Sequence, residues 1–109
     1  MKYQTHNQTK VDIDGTCLQG YINSNYGTLV ELFGHPTESD GYKVDWEWEL
    51  RFEDGTVATI YNWKNGPNYC GRDGLQCDQV TEWHIGGHVR NALYYVQEVL
   101  KSRAIGGAA

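Results

Sequence analysis

The chain has 109 residues, a formal net charge of -5 and a hydrophobic content of 39%. This length supports one domain with one core, and no apolar run approaches a membrane span. The acidic balance argues against general nucleic-acid binding, because neutralising phosphates requires a surplus of Lys and Arg. Residues 1–10 lack the apolar segment of a secretory signal, so we expect a cytoplasmic protein in which Cys17, Cys70 and Cys77 are reduced thiols.

The first part of the chain predicts one strand. Residues 1–9 are polar and indicate a flexible N-terminus. Residues 11–13 and 16–22 flank Asp14-Gly15 like the two arms of a small hairpin, and the second arm is the better strand.

A short amphipathic helix is predicted next. Its apolar residues recur at i, i+3, i+4 and i+7, namely Tyr26, Leu29, Val30 and Phe33. Residues 23–25 supply side-chain oxygens for the N-cap, while Gly34 and Pro36 end the helix. Residues 37–41 then form a polar connection.

The strongest pattern is an unbroken alternation from Tyr42 to Phe52, which predicts a strand with one dry face. Asp54-Gly55 predicts a hairpin turn into a second strand, residues 56–63. A two-residue loop places Trp48 opposite Tyr61 and Trp46 opposite Trp63, all on the dry face. A three-residue loop with a glycine bulge places Trp48 opposite Ile60 instead, and we favour the first register because it keeps one more aromatic pair.

The remainder predicts a long loop, a strand and a helix. Residues 64–79 lack a period, Val80 to Ile85 is typical of a strand, and Gly86-Gly87 breaks it. The helix spans about residues 88–103, with one apolar face made by Val89, Ala92, Leu93, Val96, Val99 and Leu100. Tyr94 and Tyr95 are about 100° apart on this helix, so at least one points away from the core.

Together these elements predict an α+β domain over residues 10–105. A mainly antiparallel sheet of three or four strands carries two helices on one face, and residues 106–109 form a disordered tail.

The leading candidate site is the junction from Trp83 through Gly86-Gly87 into the last helix. Unpaired amides at a helix N-terminus hold phosphate or carboxylate groups well, and glycines allow close approach. Aromatic faces beside it suit a nucleobase. We therefore expect an anionic nucleotide-like ligand to be bound by Trp83, His84, Gly86, Gly87 and Arg90, with Tyr69 and Arg72 closing from the long loop. The alternative is a simple chain turn beside a core tryptophan.

Two chemical alternatives are weaker. Cys70, Cys77, His84 and His88 are all zinc-ligand types, but their spacing departs from the short knuckles that make zinc motifs specific. Catalysis is not expected, because no local base accompanies a cysteine and the paired Glu47 and Glu49 are explained by a wet strand face. We accordingly expect a non-enzymatic protein without metal or cofactor.

Two surface features suggest protein contacts. Four Trp and eight Tyr exceed what a small core needs, so some should line subunit contacts, and a homo-oligomer with a pocket at its seam is expected. The acidic row Asp45, Glu47, Glu49 and Glu53 fits a basic partner instead.

Four segments, residues 16–21, 33–36, 52–64 and 83–87, carry a resemblance. Through them the chain resembles small accessory proteins encoded in tailed-phage genomes, a family with no established catalytic residues to transfer. The resemblance implies a protein of the host bacterial cytoplasm that counters host defence. It would do so by sequestering a nucleotide immune signal or, like an anti-CRISPR, by blocking a defence protein.

Overall fold

The computed structural model describes residues 1–37 and 42–108, with side chains through Arg103. Within those residues, the chain forms five strands and three α-helices. In chain order they are β1 (Tyr3–Thr5), β2 (Cys17–Asn23), α1 (Tyr26–Phe33), β3 (Glu47–Phe52), β4 (Val57–Tyr61), α2 (Pro67–Cys70), β5 (Glu82–Gly87) and α3 (Asn91–Ala108). Two 3₁₀ turns, Gly71–Asp73 and Cys77–Gln79, precede β5. The α+β class is confirmed, but the sheet has more strands than the three or four expected, and α2 is an additional single turn of helix.

The strands form one sheet in the order β1-β3-β4-β5-β2, and every neighbouring pair is antiparallel. The strand that the sequence did not predict is β1. It pairs Tyr3 with Phe52 and Thr5 with Leu50, so this part of the expected flexible N-terminus belongs to the sheet. A strand of three residues is too short to show a period of two.

Residues 6–16, here called the strap, connect β1 and β2 at opposite edges of the sheet. The expected first hairpin arm, residues 11–13, is part of this strap and forms no strand. Val11 is buried, and the His88 imidazole lies 2.8 Å from the Asp14 carbonyl oxygen, to which its Nε2–H donates. The strap therefore crosses the sheet face opposite the helices.

The hairpin register differs from the favoured one. Trp48 faces Ile60 and Leu50 faces Ala58, as a three-residue loop with a glycine bulge requires. The Phe52 amide donates to the Thr56 carbonyl at 2.8 Å, and Gly55 has a φ of +91°. The prediction that Tyr61 and Trp63 share the dry face with Trp48 is therefore wrong. A change of one residue in register moves both rings to the opposite face.

Small residues beneath α3 explain this register. Ala58 pairs with Gly87, and a Cβ added to Gly87 would lie 2.4 Å from the Ala92 Cβ. A Cβ on Gly20 would similarly lie 2.6 Å from Leu93. The favoured register would instead have placed Thr59, a larger residue, opposite Leu50 in the position that Ala58 occupies.

The core lies between the sheet and the helices α1 and α3. Its fully buried side chains include Trp48, Leu50, Ile60, Trp83 and Ile85. The Trp48 and Trp83 rings meet edge to face, with centroids 5.5 Å apart. Their indole N–H groups donate to the carbonyls of Gly34 and Ser24. The dry face predicted for Trp48, Leu50 and Phe52 is thus confirmed, whereas Tyr42 is 57% exposed.

The first helix is confirmed. Asn25 caps α1 by accepting from the Thr28 amide at 2.9 Å, and Gly34 ends it with a φ of +81°. The expected connection at residues 37–41 falls mostly outside the described residues, which resume at Tyr42.

The second of the two predicted helices, α3, begins later than predicted. β5 continues through Gly86 and Gly87, and α3 starts at Asn91, which leaves Val89 51% exposed rather than in the core. At its other end, α3 runs to Ala108 through most of the expected tail, while Ala109 lies outside the described residues. None of the helices in the described part of the chain has the length and apolarity needed to cross a membrane.

Candidate ligand-binding site

The face of the sheet opposite α1 and α3, here called the open face, carries a second set of aromatic side chains. Strand alternation places Tyr61, His84 and Tyr21 there, because β4 pairs Tyr61 with His84 and β2 pairs Tyr21 with His84. Trp63 follows β4 on the same side. A continuous cluster is formed by Tyr21, His84, Tyr61 and Trp63.

His84 lies at the centre of this cluster. Its ring centroid is 4.8 Å from that of Tyr21, 5.5 Å from that of Tyr61 and 6.3 Å from that of Trp63, with which it stacks. Burial lowers the pKa of His84, although the Glu82 carboxylate opposes the change. The imidazole is therefore neutral at neutral pH and offers one donor and one acceptor nitrogen.

A cleft of about 340 Å³ opens beside the cluster. Ile13 and Thr16 of the strap form one wall, and Tyr61 and Trp63 form another. Its remaining lining residues are Cys17, Val44, Glu47, Thr59 and Gly86. This volume lies at the lower end of the range for small-molecule sites.

Gly86 keeps the floor of this cleft open. A Cβ at this position would lie 2.4 Å from the Thr59 hydroxyl and 3.4 Å from the Tyr61 ring. Thr59 and Tyr61 also supply hydroxyl groups there. Burial, followed by the negative charge of Glu47, raises the pKa of Tyr61, so its phenol stays protonated and can donate a hydrogen bond.

A lysine side chain approaches the cluster at Trp63. The Lys64 ammonium lies 5.6 Å from the centre of the Trp63 ring, within cation–π range. Among the residues that the structure describes, no carboxylate forms an ion pair with Lys64. The open face thus combines stacking surfaces, hydroxyl groups and a positive charge.

A buried polar network supports this end of the sheet. Asn62 is fully buried, and its Oδ1 accepts from the amides of Asp45 and Trp46 at 2.8 and 3.0 Å. Its Nδ2 donates to the Asp45 carboxylate and to Asn65 Oδ1, both at 2.9 Å. Because all its hydrogen-bonding groups are paired, it fixes the chain on either side of Trp63.

The residues predicted from sequence are divided between the two faces. Trp83 and Gly87 face the core. Gly86 lines the cleft, and His84 lies on the open face beside the Tyr61 and Trp63 rings. Both glycines pair with residues on two neighbouring strands, so their amides are not those of a helix terminus. The expected anion site at a helix N-terminus is therefore wrong for Gly86 and Gly87, which belong to β5. Successive residues of a strand point to opposite faces, so the predicted residues along β5 are divided between the two faces.

The other predicted residues lie on exposed segments. Arg90 precedes α3, Tyr69 belongs to α2, and Arg72 lies on the first 3₁₀ turn. Their ligand contacts remain predictions. Thr59, Tyr61 and Trp63 were missed as site residues, because their assignment depends on the hairpin register. Tyr21 was missed because its position depends on the pairing of β2 with β5. The alternative loop at Asp54-Gly55 was the one sequence signal that pointed to Tyr61 and Trp63.

The acidic row does not form one surface. Asp45 accepts hydrogen bonds from Asn62 and from the Asn68 amide, so its carboxylate is part of the buried network. Glu47 lines the cleft, and Glu53 lies in the exposed hairpin turn. Glu49 is half-buried, and its amide donates to His6 of the strap.

The zinc hypothesis gains no support from the geometry. Over residues 1–37 and 42–108, no three Cys, His, Asp or Glu side chains converge in a way that could hold a metal ion. Cys70 donates to the Lys64 carbonyl, and His88 is engaged with the strap.

Comparison with known proteins leaves the site to be judged on its own geometry. No protein-family model, curated protein or solved structure matches the chain.

Proposed function

We propose that this protein binds a small nucleotide-type ligand on the open face and releases it unchanged. The observation that carries the proposal is the cleft of about 340 Å³ between the strap and the His84 cluster, with a lysine ammonium over the Trp63 ring. An aromatic ring stacks on a nucleobase irrespective of its sequence, and an ammonium pairs with phosphate. The neutral phenol of Tyr61, the Thr59 hydroxyl and the His84 imidazole supply polar contacts for a base or ribose.

The biological role that fits this binding is sequestration. In this proposal the protein is a phage-encoded inhibitor of host immunity, acts in the bacterial cytoplasm, and removes a nucleotide signal by holding it. The support is the resemblance carried by the four sequence segments, together with a cleft lined by aromatic and hydroxyl-bearing side chains that suit a nucleoside.

The proposal includes self-association. β2 lies at an edge of the sheet, and its seven residues carry no charge and no proline. Leu18 and Tyr21 of this strand are 47% and 50% exposed. Natural edge strands are usually protected from pairing by charged residues or proline. An edge without either favours pairing with a second copy of the chain. Light scattering at micromolar concentration measures this directly, and a strictly monomeric protein would contradict it.

The alternative, an anti-CRISPR-like protein that presents the acidic row to a basic defence protein, is less well supported. Asp45 is committed to the hydrogen bonds with Asn62 and Asn68, and Glu49 lies half-buried beside the strap.

Thermal denaturation tests the proposal. The protein is mixed with nucleoside monophosphates, cyclic nucleotides and ADP-ribose. Because ligand binding stabilises by mass action, a probe at about 100 times its Kd adds about 2.7 kcal/mol and raises Tm by several degrees. Trp63→Ala and His84→Ala should remove this rise. Tyr94→Ala is the matched control, since Tyr94 is 53% exposed on α3.

A second variant separates this site from the junction predicted by sequence. Arg90→Ala should keep the ligand-induced rise in Tm, because Arg90 precedes α3 and belongs neither to the cleft lining nor to the aromatic cluster around His84. A loss of binding in Arg90→Ala, with normal binding in Trp63→Ala, would move the site to the start of α3. No rise in Tm with any probe would remove the proposal.

A further inference from the structure

Five side chains form what we call the lysine–aromatic ribbon: Tyr42, Lys43, Trp63, Lys64 and Tyr69. The Lys64 ammonium lies 5.6 Å from the Trp63 ring and 5.5 Å from the Tyr69 ring. The Lys43 ammonium lies 5.6 Å from Trp63 and 5.7 Å from Tyr42. The Tyr42 and Tyr69 rings are 5.5 Å apart. Each lysine therefore bridges Trp63 to a tyrosine.

The aromatic rings of the ribbon face solvent. Tyr42, Trp63 and Tyr69 are 57%, 39% and 43% exposed. Trp63 belongs both to the ribbon and to the wall of the cleft, so the ribbon continues the proposed site away from the strap.

The backbone at Lys64 is held in an unfavourable conformation. Lys64 has a φ of +57°, and it is the one non-glycine residue with positive φ in the described part of the chain. Glycine adopts this conformation without steric cost. Hydrogen bonds hold the segment, because the Lys64 amide donates to the Lys43 carbonyl at 2.7 Å and the buried Asn62 network lies directly before it. A lysine here therefore supplies an ammonium at a cost to stability.

We infer that the ligand is a dinucleotide unit, with one base in the cleft against Tyr61 and Trp63 and the second on the Tyr42–Tyr69 pair. The order of groups carries this inference. Lys64 stands between two aromatic surfaces, just as a bridging phosphate stands between two nucleosides. A single nucleotide would fill the cleft and make no contact with Tyr69, which is 43% exposed. This inference rests on the proposed function and specifies its ligand.

The charge of the chain limits the length of the ligand. The Lys64 ammonium suits one bridging phosphate, and a net charge of -5 opposes a long polyanion. A linear dinucleotide, a cyclic dinucleotide and the end of a single strand share the same chemistry. Measuring the affinity for one probe of each kind distinguishes them. An oligonucleotide of about ten residues represents the end of a single strand.

Calorimetric titration with matched probes tests the inference. A 5′-phosphorylated dinucleotide or a cyclic dinucleotide should bind at least about tenfold more tightly than the corresponding monophosphate, because one further base stacks. Tyr69→Ala should remove this advantage and leave monophosphate affinity unchanged. Trp63→Ala should weaken both probes, whereas Tyr94→Ala should weaken neither. Equal affinity for monophosphate and dinucleotide would overturn the inference and leave the proposed function standing.

Lys64→Gly provides a test that does not depend on lost stability. Glycine relieves the positive φ, so Tm should be equal to or above that of the wild type, while dinucleotide affinity falls about tenfold and depends less on salt. Lys101→Ala on α3 is the matched control and should change neither quantity. Wild-type dinucleotide affinity in Lys64→Gly would overturn the role of this lysine. Absence of binding by every probe would instead contradict the proposed function itself.

Discussion

The two faces of this sheet carry the same kinds of residue and differ in what covers them. On the covered face, Trp48 and Trp83 are fully buried under α1 and α3, and both indole N–H groups are paired. On the open face, Trp63 remains 39% exposed beside His84 and Tyr61, because the strap covers part of that face. The comparison teaches that aromatic content does not identify a core. A ring stabilises the fold where a second layer packs on it, and it stays available to a ligand where that layer is incomplete.

The largest expected loss of stability follows from a substitution on the covered face. Trp48→Ala should lower the free energy of unfolding by about 3–5 kcal/mol, because it opens a cavity and leaves the Gly34 carbonyl unpaired. The matched open-face change, Trp63→Ala, should cost about 1–2 kcal/mol, because it removes ring and cation–π contacts but opens no closed cavity. Urea denaturation of both variants measures the difference. Similar losses in the two variants would contradict the distinction between the faces.

The second effect concerns the network that supports the open face. Asn62→Ala should cost roughly 2–3 kcal/mol, because the Asp45 carboxylate and the amides of Asp45 and Trp46 lose buried partners. Asn23→Ala, an exposed position at the end of β2, is the control and should be close to neutral. Chemical denaturation measures both. A neutral Asn62→Ala would show that Trp63 and Lys64 are held by other contacts.

The third effect tests the turn that assigns residues to faces. Gly55→Ala should cost about 1 kcal/mol, because Gly55 has a φ of +91° and a Cβ there meets no atom within 4 Å. The loss is therefore one of backbone conformation alone. Gly27→Ala within α1 should instead stabilise the protein, since alanine favours helix. Equal behaviour of the two variants in thermal denaturation would argue against the bulged turn.

The smallest effect is the pH dependence from His84. Its pKa is lowered in the folded state by burial, so the unfolded chain binds the proton more readily. Stability should therefore rise as pH increases from the folded pKa towards the ordinary value of about 6.5, and fall on acidification through this window. His84→Gln should flatten this dependence. A proton titration of the His84 ring by NMR that gives a raised pKa would contradict the expectation.

Much of the fold was predictable because it is encoded locally. The spacing from Tyr26 to Phe33, the Asn25 cap and Gly34 specify α1 without reference to any other segment. The alternation through Trp48, Leu50 and Phe52 likewise identifies the dry side of β3, and the structure confirms it.

The candidate site was predictable only in part. His84 and Gly86 were named and line the open face, but Trp83 and Gly87 were grouped with them although alternation along β5 sends them to the core. The partner rings Tyr61 and Trp63 were assigned to the wrong face, because a loop of two or three residues at Asp54-Gly55 is decided by what packs beyond the hairpin.

The class of the fold, the helix limits at Asn25 and Gly34, and the buried side of β3 are encoded by residues within a few positions of one another. The register of β3 and β4, the placement of β1 and the path of the strap depend instead on packing between distant segments. The physical reason is that α3 needs small residues, Gly20, Ala58 and Gly87, beneath it. That requirement joins positions far apart in the chain, and it leaves Tyr61 and Trp63 on the face where a ligand can reach them.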